Sequence, residues 1–547
     1  MTQLPDNHST SGNRLLQGGL IVDGTGNPAF PGNLLIRNGQ LQIMAPEAKI
    51  PNADVIDCRG KVIAPGFIDV HSHMDYFAIG DAPEQFDPFV AQGITSMVVG
   101  NCGFSPFGFK CDSPHHHLIE NSLFKAGHGA IDWSSFTGYR QQLQDRGIRP
   151  NVLSLVGHGA CRTSLSGFSA TPLPDSDHQQ MLGLLDEAME QGAAGVSLGL
   201  QYKPGVFASR QELIDVARLV QHRDRILTVH AKAYSVLSGT YPMNPLGKAH
   251  NLRAIDEMLD LARETGVKLQ FSHLIFVGKK TWPTLHQALD KFDRAIADGV
   301  DVKFDMFPYP FGATLLNTLL PEWVMSGMPD ILHQRLPMLR LRLEALLGFR
   351  AVGLDYACIQ ISEPGCQQYQ RYTGLSLAQI ARKVGRSPFA VMLDLLDKSN
   401  AEARMIMHRY YDPEVIPHLM QHPAAMFMTD SWPEPSGIEN AASFGSFPRF
   451  LQIARNTGCL SLEDIIARMT GDAAKRFGFT DRGLIKDGLH ADICVFDWHK
   501  IQDNSSASNS TAAPTGIEQV YINGVPVVTN STRKNVPLSG EFLVANH

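Results

Sequence analysis

The sequence predicts an α/β fold: a (β/α)8 TIM barrel with a small composite β-sandwich formed by both chain ends. Three observations lead there. Eight apolar runs of strand length alternate with helical patterns that stop at glycine, the grammar of a parallel sheet covered by helices. Short β-like runs between turn signals open the chain and return at its far end. A chain of 547 residues, 44% hydrophobic and 18% charged, exceeds one ordinary core and can bury a large domain with something attached.

Residues 13–63 carry LLQGGLIVDGTG, GNLLIRNGQLQIMA and VIDCRGKVIAPG, short alternating runs with turn signals between them. Eight strand candidates follow: GFIDVHSH, TSMVVGNC, NVLSLVGH, AAGVSLGL, ILTVHAKA, KLQFSHLI, DVKFDMFPY and AAMFMTDS. Eight is the number with which such a barrel closes. The helical patterns QQMLGLLDEAMEQG, NLRAIDEMLDLARETG and LHQALDKFDRAIADG end at Gly192, Gly266 and Gly299. More than 100 residues separate the seventh run from the eighth. An insertion of that length, at about 310–420 on the face where barrels keep their active sites, is a candidate lid. ADICVFDWHK and GIEQVYINGVPVV return to β texture around the loop DNSSASNSTAAPTG. The expected division is therefore 13–63 with 480–545 as the sandwich, and 64–479 as the barrel.

The charge balance excludes some partners. With 47 basic against 54 acidic residues the net charge is -7, without the basic excess that tracking phosphates needs. No apolar stretch follows a basic start, and nowhere do 18 apolar residues run together. The expectations are a cytoplasmic location, a small-molecule substrate, no nucleic acid and no membrane, with a homo-oligomer left open. Eight scattered cysteines without a CxxC pair read as free thiols.

Polar residues at strand ends carry the functional signal. In FIDVHSHMD, His71 and His73 are two apart on a strand and share one face. An HxH pair alone is weak, because buried histidines often only satisfy backbone groups. Cys102 in VVGNCG, His230 in LTVHAK, His273 in LQFSHL and Asp430 in MFMTDS end four further runs. In a barrel the six converge at the C-terminal face. Imidazole, thiolate and carboxylate together suit Zn2+, and six donors leave room for a second ion bridged by Cys102. Such a site activates water for attack on an amide-like carbon. Asp430, the only carboxylate of the set, is the candidate general acid/base.

The run APGFIDVHSHMD, with GNCGFSP, VGHGACR, GVSLGLQYKPG, FSHL, DMFPYPFGAT, GSFPR and DRGLIKDGLHADICVFD, resembles the amidohydrolase superfamily and within it the N-acyl-D-amino-acid deacylase (D-aminoacylase) family. The resemblance covers nearly the whole chain. It implies the same barrel and sandwich, zinc held most tightly by Cys102, His230 and His273, a weaker second position at His71 and His73, and a catalytic Asp430. It also implies substrate contacts from Tyr202 and Tyr309. The chain departs from the family where basic side chains hold the substrate carboxylate. Ile275 stands for a lysine, Asn440, Ala441 and Ala442 for His-Pro-Arg, and Ala231, Lys232 and Ala233 for an arginine-containing run. Lys232 and Ile275 join Tyr202 and Tyr309 as candidate substrate-binding residues.

Several motifs compete. Ser197 sits in GVSLG, a GxSxG pattern, but Tyr202-Lys203-Pro204-Gly205 breaks the helix a nucleophile elbow requires. His115, His116 and His117 follow Pro114 in what reads as a polar, solvated loop. His128 and His158 lie in two GHGA segments, His158 as a packing residue near the pocket. Lys203 follows the fourth run, where hydantoinases place a bridging lysine, a role Cys102 already fills. The function expected is zinc-dependent hydrolysis of an amide-type C–N bond. A cyclic amide or imide hydrolase or a deaminase is the alternative, and a non-catalytic scaffold the third class, which loss of donors would mark.

Overall fold

The computed structural model describes the chain except residues 1–11, 49, 81, 121–130, 243–246, 435, 507–508, 530–531, 534–537 and 546–547. His128 lies outside the described residues. The chain opens with β1 (Arg14–Ile21), β2 (Phe30–Arg37), β3 (Gln40–Met44), β4 (Asp54–Asp57) and β5 (Val62–Pro65). Then come β6 (Phe67–Asp69), β7 (Ile94–Val99), β8 (Asn151–Ser154), β9 (Val156–Gly157), β10 (Gly195–Gly199), β11 (Ile226–His230), β12 (Lys268–Phe271) and β13 (Val302–Met306). β14 (Phe311–Leu315), β15 (Ile359–Glu363) and β16 (Arg404–His408) precede β17 (Ala425–Phe427), and β18 (Ile493–Phe496), β19 (Ile517–Ile522), β20 (Val525–Thr529) and β21 (Thr532–Arg533) close the chain.

The two ends build one sheet. Its order is β21-β20-β19-β18-β5-β1-β2-β3, with β4 on β1, and the seam is the antiparallel pair β18 and β5, from Ile493 opposite Pro65 to Phe496 opposite Val62. Apolar residues of both ends, among them Leu16, Ile36, Ile63 and Ile493, share one small core.

Every one of the eight predicted runs contains a parallel strand. β6, β7 and β8 form one sheet, and β9, β10, β11, β12, β13 and β17 another. Only Leu155 separates β8 from β9, and its N–H donates to the Val99 carbonyl at 2.9 Å. At the far edge the Asp430 N–H donates to the His71 carbonyl at 3.0 Å. Strands such as β7 are buried along their whole length, as parallel strands covered on both faces must be. Helices at Asp175–Glu190, Arg210–His222, His250–Thr265 and Leu285–Ala297 do the covering. Gly192, Gly266 and Gly299 follow three of them with positive φ, the conformation that ends a helix.

Residues 310–420 are structured by themselves. β14, β16 and β15 form an antiparallel sheet, joined by helices at Arg335–Val352, Leu377–Val384 and Pro388–Lys398. No described helix is long and apolar enough to cross a membrane.

Candidate metal centre

All six strand-end residues meet. Cys102 Sγ lies 3.5 Å from His71 Nε2, 3.6 Å from His230 Nδ1 and 3.5 Å from His273 Nε2. His230 Nδ1 is 3.0 Å from His273 Nε2, and His71 Nε2 is 3.4 Å from His73 Nε2. Asp430 Oδ1 completes the cluster, 3.3 Å from His73 Nε2 and 3.5 Å from His71 Nε2. The donor atoms form three overlapping groups of metal-binding size: His71, His73 and Cys102; Cys102, His230 and His273; His71, His273 and Asp430.

The backbone is bent to present them. Cys102, His273 and Asp430 have φ of 55°, 35° and 48°, the left-handed region that side chains other than glycine rarely occupy and that concentrates at functional sites. Gly199 makes room: a Cβ there would stand 2.0 Å from the Cys102 carbonyl oxygen. Only glycine lets β10 approach the Cys102 loop so closely.

Neighbouring polar groups fix the rings. Asp305 Oδ1 accepts the His273 N–H at 2.6 Å and lies 3.6 Å from His71 Nδ1, while Gln270 holds Oδ2 at 2.9 Å. Gln201 Oε1 stands 2.9 Å from His230 Nε2, so a proton there leaves the Nδ1 lone pair facing the cluster. Asp69 accepts the Thr429 hydroxyl at 2.6 Å and the Thr429 and His71 N–H groups at 3.0 and 3.3 Å, tying the end of β6 to the segment after β17.

Burial sets the electrostatics. It pushes the Cys102 thiol up to about 11 and His73 down to about 4. Asp430 goes the other way: burial alone would raise its pKa, but His273, His73 and His71 hold it below the usual carboxylate range. An ionised carboxylate amid buried imidazoles and a thiol that needs a cation to ionise is a donor set that fits zinc.

The cluster floors a cavity of about 590 Å3. His73, His230, His273 and Asp430 line it, as do Tyr202 and Ile275. Lys232 and Tyr309 do not. The Lys232 carbonyl is tied to the Thr240 hydroxyl at 2.6 Å and its side chain lies off the lining. Tyr309 is buried beneath the wall, donating to Asp503 Oδ2 at 2.9 Å with the Arg449 guanidinium 4.7 Å over its ring. Of the four candidate substrate-binding residues, the structure therefore brings Tyr202 and Ile275 to the cavity and not Lys232 or Tyr309, while the cavity's sides come from the insertion and from segments such as 234–242.

The competing motifs find plain partners. Ser197 Oγ donates to the Gly100 carbonyl at 2.5 Å and accepts the Gly103 N–H at 2.9 Å, a buried tie beside the Cys102 loop. Lys203 faces an adjoining cavity, where its Nζ reaches the Met325 carbonyl at 3.4 Å. His158 is buried and paired with Glu212 at 2.8 Å. The histidine triple is not a loop throughout: a short helix spans His116–Glu120, and His116 Nε2 lies 2.8 Å from the Ile131 carbonyl.

Residues 54–309 and 377–528 match the model of the amidohydrolase family. The chain belongs to that family. This amidohydrolase is 29% identical over 520 residues to N-acyl-D-aspartate deacylase of Alcaligenes xylosoxydans xylosoxydans, covering 93% of this chain and 91% of the relative. Its fold matches the crystal structure of Bordetella bronchiseptica N-acyl-D-glutamate deacylase, complexed with zinc and a phosphonate mimic of the tetrahedral intermediate, with TM-score 0.80, 28% identity and coverage of 97% and 99%. A D-aminoacylase structure describing a binuclear metal centre, with one-metal activation and second-metal attenuation, matches at TM-score 0.79 and 25% identity, again covering 97% and 99%. The amidohydrolase thus acts on carbon–nitrogen bonds other than peptide bonds. Gln201, which meets the His230 ring, and Asp305, which holds the His273 backbone N–H, escaped the sequence argument. Asp305 ends the DVKFD run, so strand-end logic could have found it; Gln201 lies beyond its strand and carries no such signal.

Proposed function

We propose that this chain is a zinc-dependent amidohydrolase that cleaves an amide-type C–N bond of a small N-acyl substrate, with Asp430 as general acid and base. The single observation that carries the proposal is the convergence of His71, His73, Cys102, His230, His273 and Asp430 in one cluster, four of whose members, His73, His230, His273 and Asp430, line one cavity. Cys102, His230 and His273 would hold the tighter ion, with His71 and His73 offering a second position that Cys102 bridges. When bound, zinc supplies Lewis acidity, which acidifies water and polarises a carbonyl.

The chain's own groups do the rest. Asp430, ionised and on the cavity floor, takes the proton from the attacking water and delivers it to the leaving nitrogen. Gln201 keeps the His230 Nδ1 lone pair on the cluster, and Asp305 holds the His273 backbone. Residues of the insertion roof the cavity and exclude bulk water from the reaction. The two parallel sheets act as one (β/α)8 barrel over 64–479, joined through Leu155 and through the His71 to Asp430 backbone bond, with 13–63 and 480–545 as a composite β-sandwich.

Recognition differs from a carboxylate clamp. Arg340 is the one arginine or lysine among the described residues lining the cavity, and it is already held by Glu344 at 2.7 Å and stacked 4.3 Å over Trp323. Ile275 offers no charge at all. A substrate uncharged at that point, an acyl amide or a cyclic imide, suits such walls. Metal analysis followed by a screen of N-acyl-D-amino acids, neutral amides and cyclic imides tests the proposal; a fully metallated protein inert to all three classes would sink it.

A further inference from the structure

The insertion helix Arg335–Val352 has two faces. Leu341, Ala345, Gly348 and Phe349 look inward and line the metal cavity. The opposite face carries Leu336, Leu339, Leu343, Leu346 and Leu347, exposed by 79, 57, 55, 51 and 56%. Spacings of three, four, three and one residues put all five on a single stripe. They make up half of the ten large hydrophobic residues exposed on the described protein, where scattered single exposures would need no explanation.

Charge distinguishes what covers the stripe. Across 335–352 four arginines stand against one acid, Glu344, on a chain whose net charge is -7. Glu344 is engaged with Arg340. Arg335, Arg342 and Arg350 form no ion pair among the described residues, and all three are exposed beside the leucines. A second copy of this helix would bring like charges together. The face, about 27 Å long and about 10 Å wide, would offer that copy roughly 300 Å2, well short of the about 800 Å2 per partner of a stable interface. Leucines flanked by unpaired arginines match the interface of a bilayer bearing anionic headgroups.

We infer that the Leu336–Leu347 face of the insertion helix docks on an anionic lipid surface, setting the inward face of the same helix, and the metal cavity behind it, against that surface. This revises the expectation of no membrane partner: the contact is peripheral and needs no spanning segment. Its use rests on the proposed amide hydrolysis, since a cavity held at a bilayer would draw amides that partition there. The docking itself does not.

The test is co-sedimentation of the full chain with vesicles of phosphatidylcholine alone and of phosphatidylcholine mixed with phosphatidylglycerol. The protein should pellet with the mixed vesicles, less at high salt, and weakly with the neutral ones. L339Q/L343Q/L346Q and R335Q/R342Q/R350Q should each lower partitioning by about tenfold or more, which is about 1.4 kcal/mol. The leucine variant touches no cavity residue and should hydrolyse a water-soluble amide like the parent. Absence of pelleting, equal pelleting with neutral vesicles, or pelleting unchanged in both variants would overturn the inference. So would a parent that is dimeric by light scattering, becomes monomeric in the leucine variant and ignores vesicles. Pelleting that behaves as expected while no amide is hydrolysed would remove the functional proposal and leave the docking intact.

Discussion

Six polar side chains from the ends of five parallel strands converge at and beneath the floor of the cavity, four of them on its lining, each buried or nearly so, three of them on left-handed backbone. The roof is the reverse. It comes from an antiparallel sheet and a helix of the insertion, and it presents Leu319, Phe349, Met405 and Met407 to the same space. The floor is polar and tied by Asp69, Asp305 and Gln201; the roof sets these apolar side chains, with methionines that fill irregular space, beside Glu322, Arg340 and Glu344. On the proposed function, chemistry belongs to the strand ends and selectivity to the surrounding walls, so each part should break without the other.

The floor should break hardest at Cys102, whose Sγ lies within 3.6 Å of His71, His230 and His273 alike. Cys102→Ala leaves two imidazoles where three ligands and an open position are needed. Elemental analysis should find the tighter ion lost and turnover at background; full occupancy in that variant would show the thiol to be a bystander.

Asp430→Asn comes next. The amide keeps the size of the side chain but cannot take a proton, so the variant should retain metal in the tighter site and lose at least about 100-fold in kcat. Turnover within a few-fold of the parent on any identified substrate would leave Asp430 only a ligand.

The cavity wall at Ile275, just after β12, should break differently, changing which substrate is used rather than whether chemistry occurs. Each cationic partner missing from a bound carboxylate removes a charge-assisted bond worth ~1.5–3 kcal/mol, so two losses predict about 100-fold or more in kcat/KM for N-acetyl-D-methionine and N-acetyl-D-glutamate against a neutral amide. Ile275→Lys should recover part of it. Parent efficiency above about 10⁴ M⁻¹s⁻¹ on either acetyl-D-amino acid, ordinary for a true substrate, would mean that the acid is held from elsewhere on the walls.

The same division separates what the sequence discloses from what it hides. All eight strand runs, and the meeting of the six strand-end side chains, are legible because parallel strands obey fixed geometry: the polar residues that end the apolar runs come to the same face. His71 and Asp430 are 359 positions apart, yet the rule brings them together without knowledge of any loop. Tyr309 and Lys232 do not line the cavity although Tyr202 and Ile275, equally past their strand ends, do, because beyond a strand direction is set by tertiary partners. The Asp503 that captures the Tyr309 hydroxyl comes from a loop 194 residues away. The insertion hides its own architecture for the same reason. Its helices announce themselves by period, but nothing in the sequence says that β14 pairs with β16, or that one face of Arg335–Val352 lines the cavity.

Tyr202 sits where the two halves touch, and the smallest expected effect is the most informative about the boundary. Its ring lies 4.5 Å from the His230 ring, while its hydroxyl meets Thr314 Oγ1 of the insertion at 3.2 Å. Tyr202→Phe keeps the packing and deletes one neutral hydrogen bond, which costs about 0.5–1.5 kcal/mol. If Tyr202 is wall, Tm should drop by no more than a few degrees, and kcat should stay within about threefold of the parent, because nothing that touches the reacting atoms has changed. If its hydroxyl turns from Thr314 to the substrate oxygen during the reaction, the loss should instead fall on kcat and approach the 100-fold or more associated with removing a donor to a developing oxyanion. Measuring Tm and kcat on one preparation separates the two. A large fall in kcat with an unchanged Tm would move Tyr202 from the roof's side of the boundary to the floor's, and with it the claim that all of the chemistry ends at the metal ligands.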